Sequence, residues 1–117
     1  MKKKVLLIDD LKMIQDAIRR YLEVNDIEVI SAMTLEEAEA QFVAHPDVDV
    51  IMMDGRMDSD RLNTVELTQS IRNRYDGIMI AIASDEFDRR VLIEAGCDVG
   101  VDKAASPEMV LKYLQLD

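Results

Sequence analysis

Cysteine is nearly absent from this chain. Cys97 stands alone, so no internal disulfide can form, and with no Cys or His beside it there is no metal motif. It reads as a small buried thiol. Positive charge is also scarce: 14 Lys and Arg face 24 Asp and Glu, a formal charge of −10. That field repels nucleic acid and anionic membrane surfaces, so neither is expected as a direct partner. Long apolar runs are missing too. Lys2-Lys3-Lys4 imitates a signal start, but only four apolar residues follow before Asp9-Asp10, too few for a signal core or a membrane span, which leaves a cytoplasmic location as the expectation. Tryptophan is absent and aromatics make up 4%. A flavin carrier, which wants stacking rings and a Ser/Thr-rich phosphate loop, is disfavoured on that ground. There is no linker, low-complexity stretch or solenoid repeat, and 117 residues suit one domain, expected to span 1–117. His45, lone beside Pro46 and far from the acidic positions, reads as a loop residue.

What the chain does have is a repeated pattern. Four short apolar runs, Val5-Leu6-Leu7-Ile8, Val50 to Met53, Ile78 to Ala83 and Val99-Gly100-Val101, each end in or just before a polar group. Those groups are Asp9-Asp10, Asp54, Ser84 and Lys103. If the runs are parallel strands, all of these groups emerge at the carboxyl edge of one sheet, where open α/β folds bind ligands. Three carboxylates, a hydroxyl and an ammonium sharing a cleft suit a hard divalent cation together with a phosphoryl group. Crowded carboxylates without a cation should raise the proton affinity of at least one of them.

Helical spacing fills the gaps between runs. Ile14, Ala17, Ile18, Tyr21 and Leu22 predict an apolar face on a helix over 12–24. Ile27 to Ala32 follows as a strand whose Glu28 and Ser31 place it at an edge. Thr34 and Glu37 form a capping box for a helix that presents Leu35, Ala38 and Phe42 and ends at His45-Pro46. A third helix is expected over 64–74 with Leu67 and Ile71 inward. A fourth over 86–95 closes at Gly96. Ser106 is expected as the N-cap of the last helix, with Pro107 in its first turn and Val110, Tyr113 and Leu114 inward. Strand and helix alternate five times, which predicts an α/β fold with one doubly wound five-stranded parallel sheet in the order 2-1-3-4-5, flavodoxin-like. Met52, Met53 and Met79 fall in strands and read as core.

Each polar position alone has a bland reading. Asp9 or Asp10 could cap a helix, Asp54 could make an Asx turn, Ser84 a turn, and Lys103 a solvated charge. A cap explains one acid but not two at the sheet edge with a third opposite. Together, Asp9-Asp10, Asp54, Ser84 and Lys103 in their strand contexts, and the spacing from Gly96 to Lys103, resemble the receiver domain of bacterial two-component response regulators along the whole chain. The resemblance implies that Asp54 accepts phosphate from a histidine kinase or phosphotransfer protein. It implies Mg²⁺ held by Asp9, Asp10, Asp54 and the backbone carbonyl of Arg56, with Ser84 and Lys103 gripping phosphoryl oxygens. It implies signalling through a downstream protein partner or an output domain outside this chain, by a monomer or weak dimer, and no enzymatic activity beyond self-phosphorylation and self-dephosphorylation.

The chain also departs from that pattern. Met57-Asp58 stands where the family usually has Met-Pro, and Leu62 where it has a glycine, which predicts a looser acceptor loop. Ala104 replaces the proline after Lys103, so that peptide bond is expected to be trans. Gly100 replaces an aromatic, so ring rotation cannot transmit a signal. Asp58, Asp60, Asp85 and Asp102 add negative charge around the cleft. Arg56 and Glu86, two residues beyond Asp54 and Ser84, are expected to pair across the site and obstruct the water that hydrolyses an acyl phosphate. The alternatives are a receiver acting as a phosphorylation-independent interaction module, and a small Mg²⁺-dependent phosphohydrolase. The phosphohydrolase is disfavoured because no general acid follows Asp54 two residues on and no cap domain excludes water.

Overall fold

The computed structural model describes residues 2–115. Strand β1 (Lys3–Ile8) leads into helix α1 (Lys12–Val24), and β2 (Ile27–Ala32), α2 (Leu35–Ala44), β3 (Val50–Met53), α3 (Val65–Arg72), β4 (Ile78–Ala81), α4 (Glu86–Ala95) and β5 (Val99–Gly100) follow. A 3₁₀ turn, Lys103–Ala105, then opens into α5 (Ser106–Gln115). All five strands are parallel, in the order β2-β1-β3-β4-β5, so β2 is an edge strand as its mixed composition predicts.

Period-two alternation divides the strand side chains between two cores. Leu6, Ile8, Ile51, Met53, Met79 and Ala81 face one way, against Ala38 and Phe42 of α2, Ile71 of α3 and Leu92 of α4. Val5, Leu7, Val50, Met52 and Ile80 face the other, against Ile18 and Leu22 of α1 and Val110 of α5. The central strands are sealed on both faces, which is why their sequences are almost continuously apolar. Each fully buried Leu, Ile or Met there contributes about 1.5–3 kcal/mol of transfer free energy. The three methionines are core, as expected, and Cys97 is a buried free thiol.

Several elements differ from the sequence reading. The buried stripe of α1 is Gln15, Ile18 and Leu22, while Ala17 and Tyr21 remain exposed and border an apolar groove beside α5. Helix α3 is shorter than expected at both ends, and β4 ends at Ala81, two residues before the end of its apolar run. Ser106 is not an N-cap acceptor: its hydroxyl donates to the Lys103 carbonyl at 2.7 Å, because the 3₁₀ turn already carries the chain into α5. The Thr34 cap is present, with the Glu37 amide donating to its hydroxyl. Glu37 reaches back one residue further than a capping box requires, to the Met33 amide. Gly96 closes α4 at φ 143°, where a Cβ would strike Arg72.

Candidate phosphoryl and metal site

The sheet ladder continues one step past the strand ends and delivers the acids to one edge. The Asp9 amide donates to the Ala32 carbonyl at 3.1 Å, and the Asp54 amide to the Ile8 carbonyl at 3.0 Å. Asp9, Asp10 and Asp54 thereby each bring a carboxylate oxygen within 4.8 Å of the other two. Lys103, on the 3₁₀ turn after β5, places its Nζ 2.9 Å from Asp9 Oδ2 and 3.3 Å from Asp54 Oδ1. Ser84 is exposed and lines the same cavity of about 350 Å³ as Asp10, Asp54, Arg56 and Lys103.

The two oxygens of each acid have different tasks. Asp9 Oδ1 accepts the Leu11 amide at 2.9 Å, so the cap-like reading is right for that one oxygen. Asp54 Oδ1 accepts the Gly55 amide at 2.7 Å and the Arg56 amide at 3.4 Å. Asp10 Oδ2 accepts the Asp58 amide at 2.8 Å. Asp54 Oδ2 is buried with no hydrogen-bond partner, and the buried Asp9 Oδ2 has only the Lys103 ammonium, 2.9 Å away. An orphaned carboxylate oxygen such as Asp54 Oδ2 is costly. Buried lone pairs on an all-oxygen donor set fit a hard cation such as Mg²⁺.

Electrostatics carry the same signature. Burial, and then the charge of Asp9, push the Asp54 carboxyl up to about 6 despite Lys103. This is the raised proton affinity that crowding predicts. Burial alone would lower the Lys103 ammonium, but close contact with Asp9 and the charges of Asp54 and Asp9 outweigh it and leave it raised.

The predicted pair of Arg56 with Glu86 does not form. Arg56 Nε donates to Asp88 Oδ2 at 2.8 Å, Nη2 lies 3.6 Å from Asp85 Oδ2, and Nη1 donates to the Asp60 carbonyl at 3.1 Å. Glu86 pairs with Arg90 one turn along, at 3.4 Å. Positions 86 and 88 differ by roughly 200° around a helix, so only one of them can face the acceptor loop. Asp88, 3% exposed, is that one.

Four positioning residues carry no motif in the sequence. Gln15 Nε2 reaches the carbonyls of Leu7, Asp9 and Ala32, tying α1 to the end of β1. Thr64 donates its hydroxyl to the Asp54 carbonyl at 2.7 Å. The Asn63 side chain exchanges two hydrogen bonds with the Met57 backbone and so ties the two sides of the acceptor loop together. Asp88 completes the set. No cis peptide bond occurs among the described residues, so Lys103-Ala104 is trans as expected. A Cβ on Gly100 would lie 3.0 Å from Arg89 Cβ, and Arg89 Nη1 donates to the Ala83 carbonyl at 2.7 Å. The space over β5 is therefore filled by arginine.

Comparison with known proteins agrees with this geometry. Residues 5–115 match the family model of the response regulator receiver domain. The chain is 31% identical over 108 residues to the transcriptional regulatory protein AruR of Pseudomonas aeruginosa, covering 89% of this chain and 44% of that protein. It is 30% identical over 113 residues to the DNA-binding transcriptional activator EvgA of Escherichia coli, covering 94% of this chain and 54% of that one. The chain thus spans about half the length of these curated relatives. Among solved structures, Vibrio cholerae chemotaxis protein CheY4 superposes with a TM-score of 0.81 at 24% identity over 98% of both chains. A two-component response regulator from Clostridium difficile does so with a TM-score of 0.84 at 20% identity, over 98% of this chain and 94% of that one.

Proposed function

Because this chain belongs to the response regulator receiver domain family, we propose that it takes a phosphoryl group on Asp54 from a phosphohistidine of a histidine kinase or phosphotransfer protein. The observation that carries this reading is the asymmetry of Asp54. Its Oδ1 is committed to two amides and Lys103, while its Oδ2 has no partner. Oδ2 attacks phosphorus, the P–N bond to the imidazole breaks, and its electron pair goes to the departing ring nitrogen, so that a ring already protonated on its other nitrogen leaves as neutral imidazole. Lys103, already on Asp54, neutralises charge on the transferring group, and the Ser84 hydroxyl at the cavity rim donates to a phosphoryl oxygen.

Asp9, Asp10, Asp54 and the Arg56 carbonyl are the oxygens that would hold Mg²⁺. Bound there, the ion supplies charge neutralisation between three carboxylates and an anionic donor. The buried Asp9 Oδ2, whose one close partner is the Lys103 ammonium at 2.9 Å, favours such a ligand. The output is carried by a protein partner or by a segment outside this chain, and residues 1–117 act as one receiver domain with no activity beyond its own phosphorylation and dephosphorylation. No helix among the described residues is long and apolar enough to cross a membrane; a cytoplasmic setting is part of the proposal. The test is incubation with phosphoramidate, a P–N donor, with and without Mg²⁺, read by intact mass. One phosphoryl group is expected with Mg²⁺ and none in Asp54→Asn. A second reading, a phosphorylation-independent interaction module, is favoured by the Asp58 amide occupying Asp10 Oδ2 and by Asp85 and Asp88 on the cavity wall. No mass gain under any condition would select it.

A further inference from the structure

We propose that the Arg56 guanidinium is a second phosphoryl-binding cation that clamps helix α4 to phosphorylated Asp54, with Asp88 as its anchor. The inference rests on the phosphoacceptor reading above. Arg56 and Lys103 are the two cations lining the cavity that holds Asp54 and Ser84. Lys103 is already shared between Asp9 and Asp54, so Arg56 is the cation with capacity left.

The strengths of its three contacts decide what it can give up. The Nε bond to Asp88 is short, at 2.8 Å, and its acceptor side chain is only 4% exposed. Removing the cation from a buried carboxylate leaves a desolvated charge unpaired, which is costly, so this contact stays. The other edge of the guanidinium is held weakly: Nη2 is 3.6 Å from a half-exposed Asp85 carboxylate, and Nη1 donates to the Asp60 carbonyl. A phosphoryl group brings a charge near −2 and three acceptor oxygens, and outcompetes both. Phosphorylation therefore trades Asp85 and Asp60 for phosphoryl oxygens while Nε keeps Asp88.

One side chain then joins the modified Asp54 to the first turn of α4. Asp85, the N-cap whose Oδ1 accepts the Phe87 and Asp88 amides, is released from the arginine but keeps its cap. The clamp makes opening of α4 rarer without unfolding its end. It gives a route to the α4 surface that needs no aromatic at position 100, where Gly100 lies under Arg89.

The experiment follows amide exchange over residues 85–95 in wild type, Arg56→Lys and Asp88→Ala, each before and after phosphorylation verified by intact mass. Lysine keeps a cation near Asp88 but cannot bridge two acceptors in a fork. Alanine removes the buried charge, so its fold does not depend on Arg56. Wild type is expected to exchange about fivefold more slowly in α4 once phosphorylated, equivalent to about 1 kcal/mol of opening free energy. In the phosphorylated fraction of each variant, less than half of that protection is expected. Equal protection in either variant, or none in wild type, overturns the clamp. No mass gain in wild type overturns the phosphoacceptor reading itself, and the clamp with it.

Discussion

Asp58 holds Asp10: the Asp58 backbone amide donates to Asp10 Oδ2 at 2.8 Å from a left-handed conformation, φ 52°. The acceptor loop thus crosses from β3 to pin an acid at the end of β1. A proline at 58 could do neither, since it has no N–H and fixes φ near −65°. Asp58→Pro is expected to lower stability by about 2 kcal/mol, whereas Asp58→Gly, which adopts positive φ freely, should stay within about 1 kcal/mol of wild type. Urea unfolding midpoints at unchanged slope make the comparison. Wild-type stability in Asp58→Pro would mean the loop does not hold this turn.

Gln15 donates to the carbonyls of Leu7, Asp9 and Ala32, so Gln15→Ala should cost about 1 kcal/mol through the lost hydrogen bonds, with the Ala32 carbonyl keeping the Asp9 amide. Because one of them is the Asp9 carbonyl, Mg²⁺ should also raise the unfolding temperature of the variant less than that of wild type. An unchanged stability and an unchanged Mg²⁺ response would show that Gln15 does not position Asp9.

These two residues also mark the limits of what the sequence discloses. Apolar runs ending in Asp9-Asp10, Asp54 and Lys103 were legible because a strand's burial and its exit point are local properties, and the sheet brings those residues together. Gln15 was not, because its polar side chain sits on the buried stripe of α1 and its partners are carbonyls of other strands. Spacing alone puts Tyr21 on the buried face, yet only the register of α1 against the sheet decides which side of the stripe is covered. The sequence puts Arg56 two residues beyond Asp54, but its partner depends on which residue of α4 faces the loop. That is a tertiary fact, which chose Asp88 over Glu86.

Arg89 occupies the place above β5, and its Cβ and Cδ would lie 3.0 and 3.3 Å from a Cβ on Gly100. Gly100→Tyr should therefore destabilise by about 1–3 kcal/mol through overpacking. Adding Arg89→Ala should recover part of that loss, with a coupling of at least about 0.5 kcal/mol in the double-mutant cycle. Strict additivity would mean the two positions do not compete for the same space.

Burial, then the charge of Asp98, push the Cys97 thiol up to about 12 from an ordinary 9.0. The folded state favours the neutral thiol, so this contribution to stability is complete below about pH 9 and is lost as pH rises toward 12. At pH 8.5 the native protein should hold about a thousandfold less thiolate than the unfolded chain, and iodoacetamide should label Cys97 only after denaturation. Rapid labelling of native protein would contradict the burial of this group.

The position of the phosphoryl bond is the most direct test of all. After incubation with phosphoramidate and Mg²⁺, borohydride reduction converts an acyl phosphate on aspartate to homoserine, which peptide mass spectrometry can locate. The account predicts homoserine at position 54 alone, absent when Mg²⁺ is chelated. Modification at Asp9, Asp10 or His45 instead, or no reducible acyl phosphate in the folded protein, would contradict it.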